Sequence, residues 1–384
     1  MSSNRNTNAS LNLIAGILGK ISPRFLIPLV LFLAGGVLFF TVGGKPAKKS
    51  TAPANMPSVG HDEPGSYLFC SWNVENLFDD VDDPKNDDSM EDWFAHNPDK
   101  FRLKVERLAD VLLQMNDGKG PDVMALTEVE STRCLEALRD TLNERLAKGG
   151  LAESRYESIL FLGDKLGRRF APGILTRLPV IHDRTRKVST YAGNGRTIEG
   201  HLVVNQRKLI ILAAHWTSRV DHDAKSNDNA DRRMSYAKDF YGRYKAIVTA
   251  NPDADVILCG DFNDEFRDAS IRDGLHATDS PEDTRRNDTE PLPYALFAHW
   301  KSPNDPPGSI YGKGHWSVFD HIMVSRGLFD DHGWTCDPNS STIFASEGMR
   351  SANSTHAPFR FGDERETKRG YSDHFPVTVR LSVK

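Results

Sequence analysis

Six apolar stretches of this sequence carry carboxylate, carboxamide or imidazole side chains at or beside one end. These are Asn73 and Glu75 in SWNVEN, Glu128 and Glu130 in ALTEVE, His215 after LIILAA, Asp261 and Asn263 after VILCG, Asp320 and His321 in SVFDHIMV, and Asp373 and His374 in YSDHFPV. Taken singly, each is most simply a turn residue, a cap or a structural histidine, because Asn and Asp bond readily to their own backbone where a strand ends. The joint pattern says more. Strand ends from one side of a sheet converge on one surface, and polar groups gathered there build sites. Carboxylates, amides and imidazoles together are the inventory for a hard divalent cation and for in-line attack on phosphorus. Phosphodiester cleavage needs charge neutralised on a non-bridging oxygen, a water activated and the leaving oxygen assisted. No Cys-x-x-Cys or His-Glu-x-x-His spacing speaks for zinc. A Walker loop and a Gly-x-Ser-x-Gly elbow are both absent, which argues against a P-loop enzyme and a serine hydrolase.

Regular elements must hold these ends in place. Tyr67–Ser71 reads as a short strand, residues 80–99 as an acidic loop, and Phe101–Met115 as an amphipathic helix stopped by Gly118 and Gly120. A buried strand is expected over Asp122–Leu126 and a second helix over Thr132–Lys148. Strand-like runs follow at Tyr156–Phe161, Gly173–Leu175, Glu199–Val204 and Lys208–Ala214, then a long helix over Ala230–Ala250 and a strand at Asp255–Cys259. Val318–Val324 and Val377–Val383 close the chain as strands, with polar loops over 278–308 and 346–371. Strands outnumber helices and each helix adjoins a strand, which predicts two packed sheets flanked by helices in one domain over residues 66–384. Cys70 and Cys259 fall in strand-like runs, Cys134 in a helix and Cys336 in a loop, and all four are expected as free thiols.

Composition sets the outer bounds. A mean hydropathy of −0.48 excludes a polytopic membrane protein, and four cysteines in 384 residues exclude a disulfide scaffold. Residues 1–60 hold six of the 48 basic side chains and no acidic one, so the body sets 42 basic groups against 53 acidic ones, a net of −11. A body that acidic is no passive polyphosphate binder, and phosphate chemistry on it calls for a metal ion. Phe25–Val42 is an 18-residue uncharged apolar run. The expected organisation is a basic, amphipathic segment over 1–24, a transmembrane anchor or signal over 25–44, and a linker over 45–65 rich in Pro, Ala, Ser and Lys. An uncleaved anchor is the first reading, and secretion after signal cleavage is the alternative. The positive-inside rule tips the catalytic body out of the cytoplasm, into the cell envelope.

In order and spacing, SWNVENLF, ALTEVE, AAHWTSR, GDFND, FDHIMVS and YSDHFPV resemble the signature blocks of the endonuclease/exonuclease/phosphatase superfamily, the DNase I-like fold, across Tyr67 to Lys384. The resemblance implies an α/β class, a four-layered α/β sandwich of two packed mixed sheets flanked by helices. It also implies roles. Glu128 resembles the main metal carboxylate, with Asn73 beside it and Asp373 near the metal, which is Mg²⁺ or in its place Mn²⁺ or Ca²⁺. Asp261 resembles the residue that orients or deprotonates water, and Asn263 the amide that holds phosphate. His374 resembles the imidazole at the scissile phosphate, with Asp320 fixing its tautomer. His215 resembles the second catalytic imidazole. Whether Asp261 or His374 is the general base stays open at this point.

Where some nucleases of the superfamily place a Glu partner for the second histidine, this chain has KLGRRFAPGILTR, so the partner of His215 is undefined. Arg169 there, or Arg219 in HWTSR, is a candidate for phosphate contact, the alternative being a surface ion pair. Arg232 and Arg233 open the long helix, either against a phosphate backbone or simply at an exposed helix end. Glu75 and Glu130 either support the site or face solvent. NVENLF, HWTSR and GHWSVFDHI look most like bacterial secreted or membrane-attached nuclease-like members. The expected activity is therefore an endonuclease-like, Mg²⁺-dependent phosphodiester hydrolase acting as a monomer on nucleic acid or another phosphodiester, and attached to the membrane through its N-terminal helix. The alternative is a phosphatase or lipid phosphodiesterase, of inositol-phosphate or sphingomyelinase type.

Overall fold

In a computed structural model the described residues are 65–84, 88–163, 169–188, 196–219, 228–286, 289–301 and 306–384. The expected segments 1–24 and 25–44, and the 45–65 linker apart from Gly65, lie outside them. Among the described residues no helix is long and apolar enough to cross a membrane.

Thirteen strands are described: β1 (Ser66–Leu77), β2 (Val123–Val129), β3 (Ser158–Phe161), β4 (Ala171–Thr176), β5 (Thr197–Val204), β6 (Arg207–His215), β7 (Val256–Asp261), β8 (Tyr294–Ala295), β9 (Ile310–Gly312), β10 (His315–Ser317), β11 (Asp320–Val324), β12 (Trp334–Ile343) and β13 (Val377–Val383). The helices are α1 (Ser89–Ala95), α2 (Pro98–Leu112), α3 (Thr132–Lys148), α4 (Asp228–Ala250) and α5 (Pro281–Arg285). One sheet runs β12-β13-β1-β2-β4-β3, a second β5-β6-β7-β11-β8, and β9 pairs with β10 as a small hairpin.

Side-chain alternation builds the layers. In β7, Ile257 and Cys259 join the core between the two sheets, while Val256 and Leu258 face α4 with Phe240 and Tyr244. In β11, Ile322 and Val324 point inward and Met323 outward, as the period of two requires. On the far side, Phe101, Val105, Leu108 and Leu112 of α2 and Leu135, Leu138 and Leu142 of α3 cover the first sheet. Both helices read as amphipathic stripes. Pro98 opens α2, and the Ser131 side chain accepts the Cys134 N–H at 3.3 Å to cap α3. The result is helix on sheet on sheet on helix.

Two pairs are parallel, β1 with β2 and β6 with β7, and their crossovers carry α2 and α4 respectively. Parallel pairing puts the carboxyl ends of all four strands at sheet ends. β11 runs antiparallel to β7 with Asp320 opposite Asp261, and β13 antiparallel to β1 with Val377 opposite Ser71. Residues at the start of β11 and just before β13 therefore meet the carboxyl ends of their neighbours.

The structure corrects several expected elements. The first strand continues past Ser71 to Leu77, α2 starts three residues earlier than its apolar pattern, and the acidic loop contains α1. Cys336 lies in β12 rather than a loop. All four cysteines are free thiols.

Close packing of β6 on β7 makes one position intolerant. Gly260 has φ +128°, and a Cβ there would lie 1.9 Å from the Ala214 carbonyl oxygen. Gly260→Ala is expected to destabilise the fold by about 3 kcal/mol or more, the sum of backbone strain and overpacking. Urea unfolding measures it, and a loss below about 1 kcal/mol would show that the β6–β7 pair moves apart freely.

Candidate active site

Backbone irregularity aims the side chains. The β1–β2 register shifts between Asn73 and Leu77, and the β2–β4 register between Leu126 and Val129. Glu75, Asn76 and Glu128 have φ of 54°, 54° and 62°, and Asn263 after β7 has φ 52°. Bulges and left-handed non-glycine residues cost free energy, so their clustering at one end of the sandwich marks a site.

Asn73 sits at the centre. Its Nδ2 donates to Glu128 Oε1 at 3.0 Å and to Asp261 Oδ2 at 2.9 Å, which ties the first sheet to the second. Its Oδ1 accepts the Glu75 N–H at 3.0 Å. Asn73 thus stands beside Glu128 as expected, with its amino group toward the two carboxylates and its oxygen on the Glu75 N–H. The Asn76 N–H donates to Glu128 Oε2 at 2.8 Å. Burial pushes the Glu128 carboxyl up, but His215, the Asn73 amide and the Asn76 N–H outweigh it and hold the carboxyl below its usual range.

Two imidazoles face this cluster. His215 Nε2 lies 3.6 Å from Glu128 Oε1 and 3.8 Å from Asp261 Oδ2. Its buried Nδ1 has no hydrogen-bond partner among the described residues, and burial lowers the imidazole to about 4. His374 Nδ1 meets Asp320 Oδ2 at 2.7 Å, and His374 Nε2 lies 3.8 Å from Asp261 Oδ2. Burial alone would lower His374, but Asp320 and Asp261 overcome it and raise the imidazole well above its ordinary value. Asp261 is raised to about 7, by burial first and then by Asp320, against the pull of His374. Asn263 returns its N–H to Asp261 Oδ1 at 2.9 Å and its Nδ2 to the Trp216 carbonyl at 3.1 Å. Asp373 is half-buried. Burial and, against His374, the Glu128 charge push its carboxyl up.

The arrangement therefore joins a partly open carboxylate, a second carboxylate within its electrostatic reach, a buried carboxylate flanked by two imidazoles, and an Asp–His pair. The family model for the endonuclease/exonuclease/phosphatase family matches residues 68–383. The chain belongs to that family. It is accordingly a metal-dependent phosphoric ester hydrolase. Among solved structures, truncated Caenorhabditis elegans TDP2 is 16% identical over 83% of this chain and 98% of its own, with a TM-score of 0.47. An endonuclease/exonuclease/phosphatase family protein from Bacteroides thetaiotaomicron is 17% identical over 84% and 99%, with a TM-score of 0.48. The human Nocturnin catalytic domain with bound sulfate is 15% identical over 83% and 94%, with a TM-score of 0.46. No curated protein matches the sequence.

For an endonuclease/exonuclease/phosphatase family enzyme the donor set fits a hard cation. Glu128 keeps 19% of its side chain open to solvent, and it and Asp373 supply oxygens only.

Both arginine candidates for phosphate contact are held in ion pairs. Arg169 pairs with Asp83. Arg219 pairs with Asp264 at 2.8 Å and with Asp268, and its Nε also donates to the Asn263 carbonyl at 2.8 Å. Arg233, expected either against a phosphate backbone or at an exposed helix end, is buried and lies 2.8 Å from Asp264 Oδ2. Arg219 and Arg233 brace the loop that carries Asn263. Glu130 accepts the Asp79 N–H at 3.0 Å and so holds the turn that follows β1.

Ser372, Trp72 and Lys104 emerge as supporting residues beside Glu75. Ser372 Oγ donates to the Asn73 carbonyl at 2.7 Å and accepts the His374 N–H at 3.1 Å. Trp72 donates Nε1–H to the His374 carbonyl at 2.9 Å. Glu75 accepts Arg360 Nε at 2.9 Å and the Phe361 N–H at 2.7 Å, while the buried Lys104 donates to the Tyr371 carbonyl at 2.6 Å. Together they pin the loop that delivers Asp373 and His374. A single Ser or Lys carries no sequence signal of such a role.

Proposed function

We propose that this enzyme is a Mg²⁺-dependent nuclease-type phosphodiesterase held at the cell envelope. The observation that carries the chemistry is the convergence of Asn73, Glu128, His215, Asp261 and His374, from both sheets, within 3.8 Å links around one point. Mg²⁺, when bound by Glu128 with Asp373 nearby, supplies charge neutralisation on a non-bridging phosphate oxygen. Asp261 faces both imidazoles through one carboxylate oxygen and serves as acceptor for the proton of the attacking water. His374, held by Asp320, donates from Nε2 to the phosphate. Neutral His215 steadies the transition state from the opposite side, and Asn263 holds a phosphate oxygen. The catalytic body acts as a monomer.

The deciding experiment is a substrate screen with Mg²⁺, Mn²⁺ and Ca²⁺. Acid-soluble nucleotides released from plasmid DNA support the nuclease reading. Release of inorganic phosphate or phosphocholine, with DNA untouched, would assign a phosphatase or lipid phosphodiesterase instead.

The membrane part has its own test. Apolar side chains drive insertion of residues 25–44, each central Leu, Ile, Phe or Val contributing about −0.3 to −0.6 kcal/mol. The full chain is expected to resist carbonate extraction, and Leu33→Arg, at ~2.5–3.5 kcal/mol, to move it toward the soluble fraction. External protease should digest the body in intact spheroplasts. Protection until lysis would place the body in the cytoplasm.

A further inference from the structure

The turn from β1 into α1 holds eight acidic side chains between Asp79 and Asp92, with Lys85 the single basic one. Several are satisfied. Arg133 Nε meets Asp80 at 2.6 Å, Arg169 pairs with Asp83, and Asp88 caps α1 by accepting the Met90 N–H at 2.9 Å. Asp79, grouped with Glu130 and Cys134, accepts Ser131 Oγ at 2.5 Å and the Val81 N–H at 2.8 Å.

Asp82, Glu91 and Asp92 differ. One oxygen from each lies within 4.8 Å of the others. No Lys or Arg of the described residues lies within ion-pair distance of any of the three, whereas Asp80 and Asp83 nearby each have one. Glu91 is fully buried. Its Oε1 accepts the Asp83 N–H at 2.8 Å, and its buried Oε2 has no donor among the described residues. Burial and then the neighbouring Asp82 and Asp92 charges, opposed by the Asp83 N–H, push the Glu91 carboxyl up. A buried carboxylate oxygen left without a donor, beside two like charges, is strongly unfavourable unless a cation completes it. Asp82 and Asp92 are exposed, so an ion reaches the cluster directly from solvent.

We propose that Asp82, Glu91 and Asp92 bind a calcium ion, separate from the catalytic centre, that fastens the first turn of α1 to the end of β1. Three carboxylates on an irregular turn suit the flexible, oxygen-only coordination of Ca²⁺. Mg²⁺ demands tighter octahedral geometry with fewer carboxylates, and zinc prefers nitrogen and sulfur. The ion bears on the site through packing. Phe94 of α1 stacks on Phe361 with ring centroids 6.0 Å apart, and the Phe361 N–H is held by Glu75.

The test uses the full chain carrying Glu128→Gln, which removes the catalytic carboxylate's charge. Ca²⁺ is expected to raise Tm in a concentration-dependent way. Tb³⁺ is expected to luminesce on tryptophan excitation, because Trp93 adjoins Asp92. Adding Glu91→Gln should abolish both responses. Asp92→Asn, at an exposed position that disturbs no packing, should weaken the Ca²⁺ midpoint about tenfold or more, which keeps the test decisive if Glu91→Gln fails to fold. Equal Ca²⁺ and Tb³⁺ midpoints with and without these changes would overturn the proposal. So would a stability that rises as pH falls from 8 to 6 with no response to Ca²⁺, since a proton would then neutralise Glu91.

Discussion

Glu128→Gln is expected to reduce phosphodiester hydrolysis by roughly 10³-fold or more, the upper range for losing one preorganised electrostatic stabiliser, while leaving the fold intact by circular dichroism. The amide keeps the shape of the side chain. Its single carbonyl oxygen can still accept one of the two donors, the Asn73 amide or the Asn76 N–H, which now stand 3.0 and 2.8 Å from separate Glu128 oxygens. What it loses is the charge that attracts a hard cation and that His215 faces at 3.6 Å. The loss should appear in kcat at saturating substrate and should not be restored by raising Mg²⁺ within the millimolar range. EDTA should reproduce it in the unmodified enzyme, with recovery on adding Mg²⁺. Full activity in the variant, or turnover indifferent to EDTA, would remove Glu128 and the metal from the mechanism.

Asp320→Asn should lower kcat by roughly 10²–10⁴-fold, the scale of losing positioned acid–base or orienting help. Asp320 is fully buried, and its contact with His374 Nδ1 at 2.7 Å both fixes the ring and favours its charged form. An Asn there can present its oxygen to Nδ1–H but contributes no charge, so the imidazolium loses its main support. His374→Ala should cost as much or more, and the double variant should be no worse than the worse single one, since the two act as a unit. Additive losses would show that they act independently. A structural role alone would lower Tm without changing kcat in the folded fraction, so melting and kinetics measured together separate the cases.

Much of the site was legible because its residues interrupt apolar runs. His215 and Asp261 close apolar runs (LIILAA and VILCG), and Asp320 opens a strand that continues into the apolar IMV. Burial on both faces makes such runs conspicuous, and a charge at their end is costly enough to need a reason. Other parts left no trace. β12 (WTCDPNSSTI) is a half-exposed strand with Pro338 at the edge of the first sheet, where no apolar alternation is required. From sequence, Arg219 could meet a phosphate or a surface ion pair, and Arg233 a phosphate backbone or an exposed helix end, and only the position of Asp264 between them decided that they brace a loop.

By itself the sequence determined the chemistry available, the two-sheet class and the ends of the strands on which that chemistry sits, because hydrophobic periodicity and residue type are local properties. The tertiary structure decided how those ends meet. Asn73 bridges residues 55 and 188 positions away, and Glu128 reaches the centre only through a bulge with φ 62°. Asp320 and His374, 54 residues apart, pair because two antiparallel strands start beside the carboxyl ends of parallel ones. Such contacts depend on register and sheet packing, which arise from the cooperative burial of the whole core rather than from any short stretch of chain.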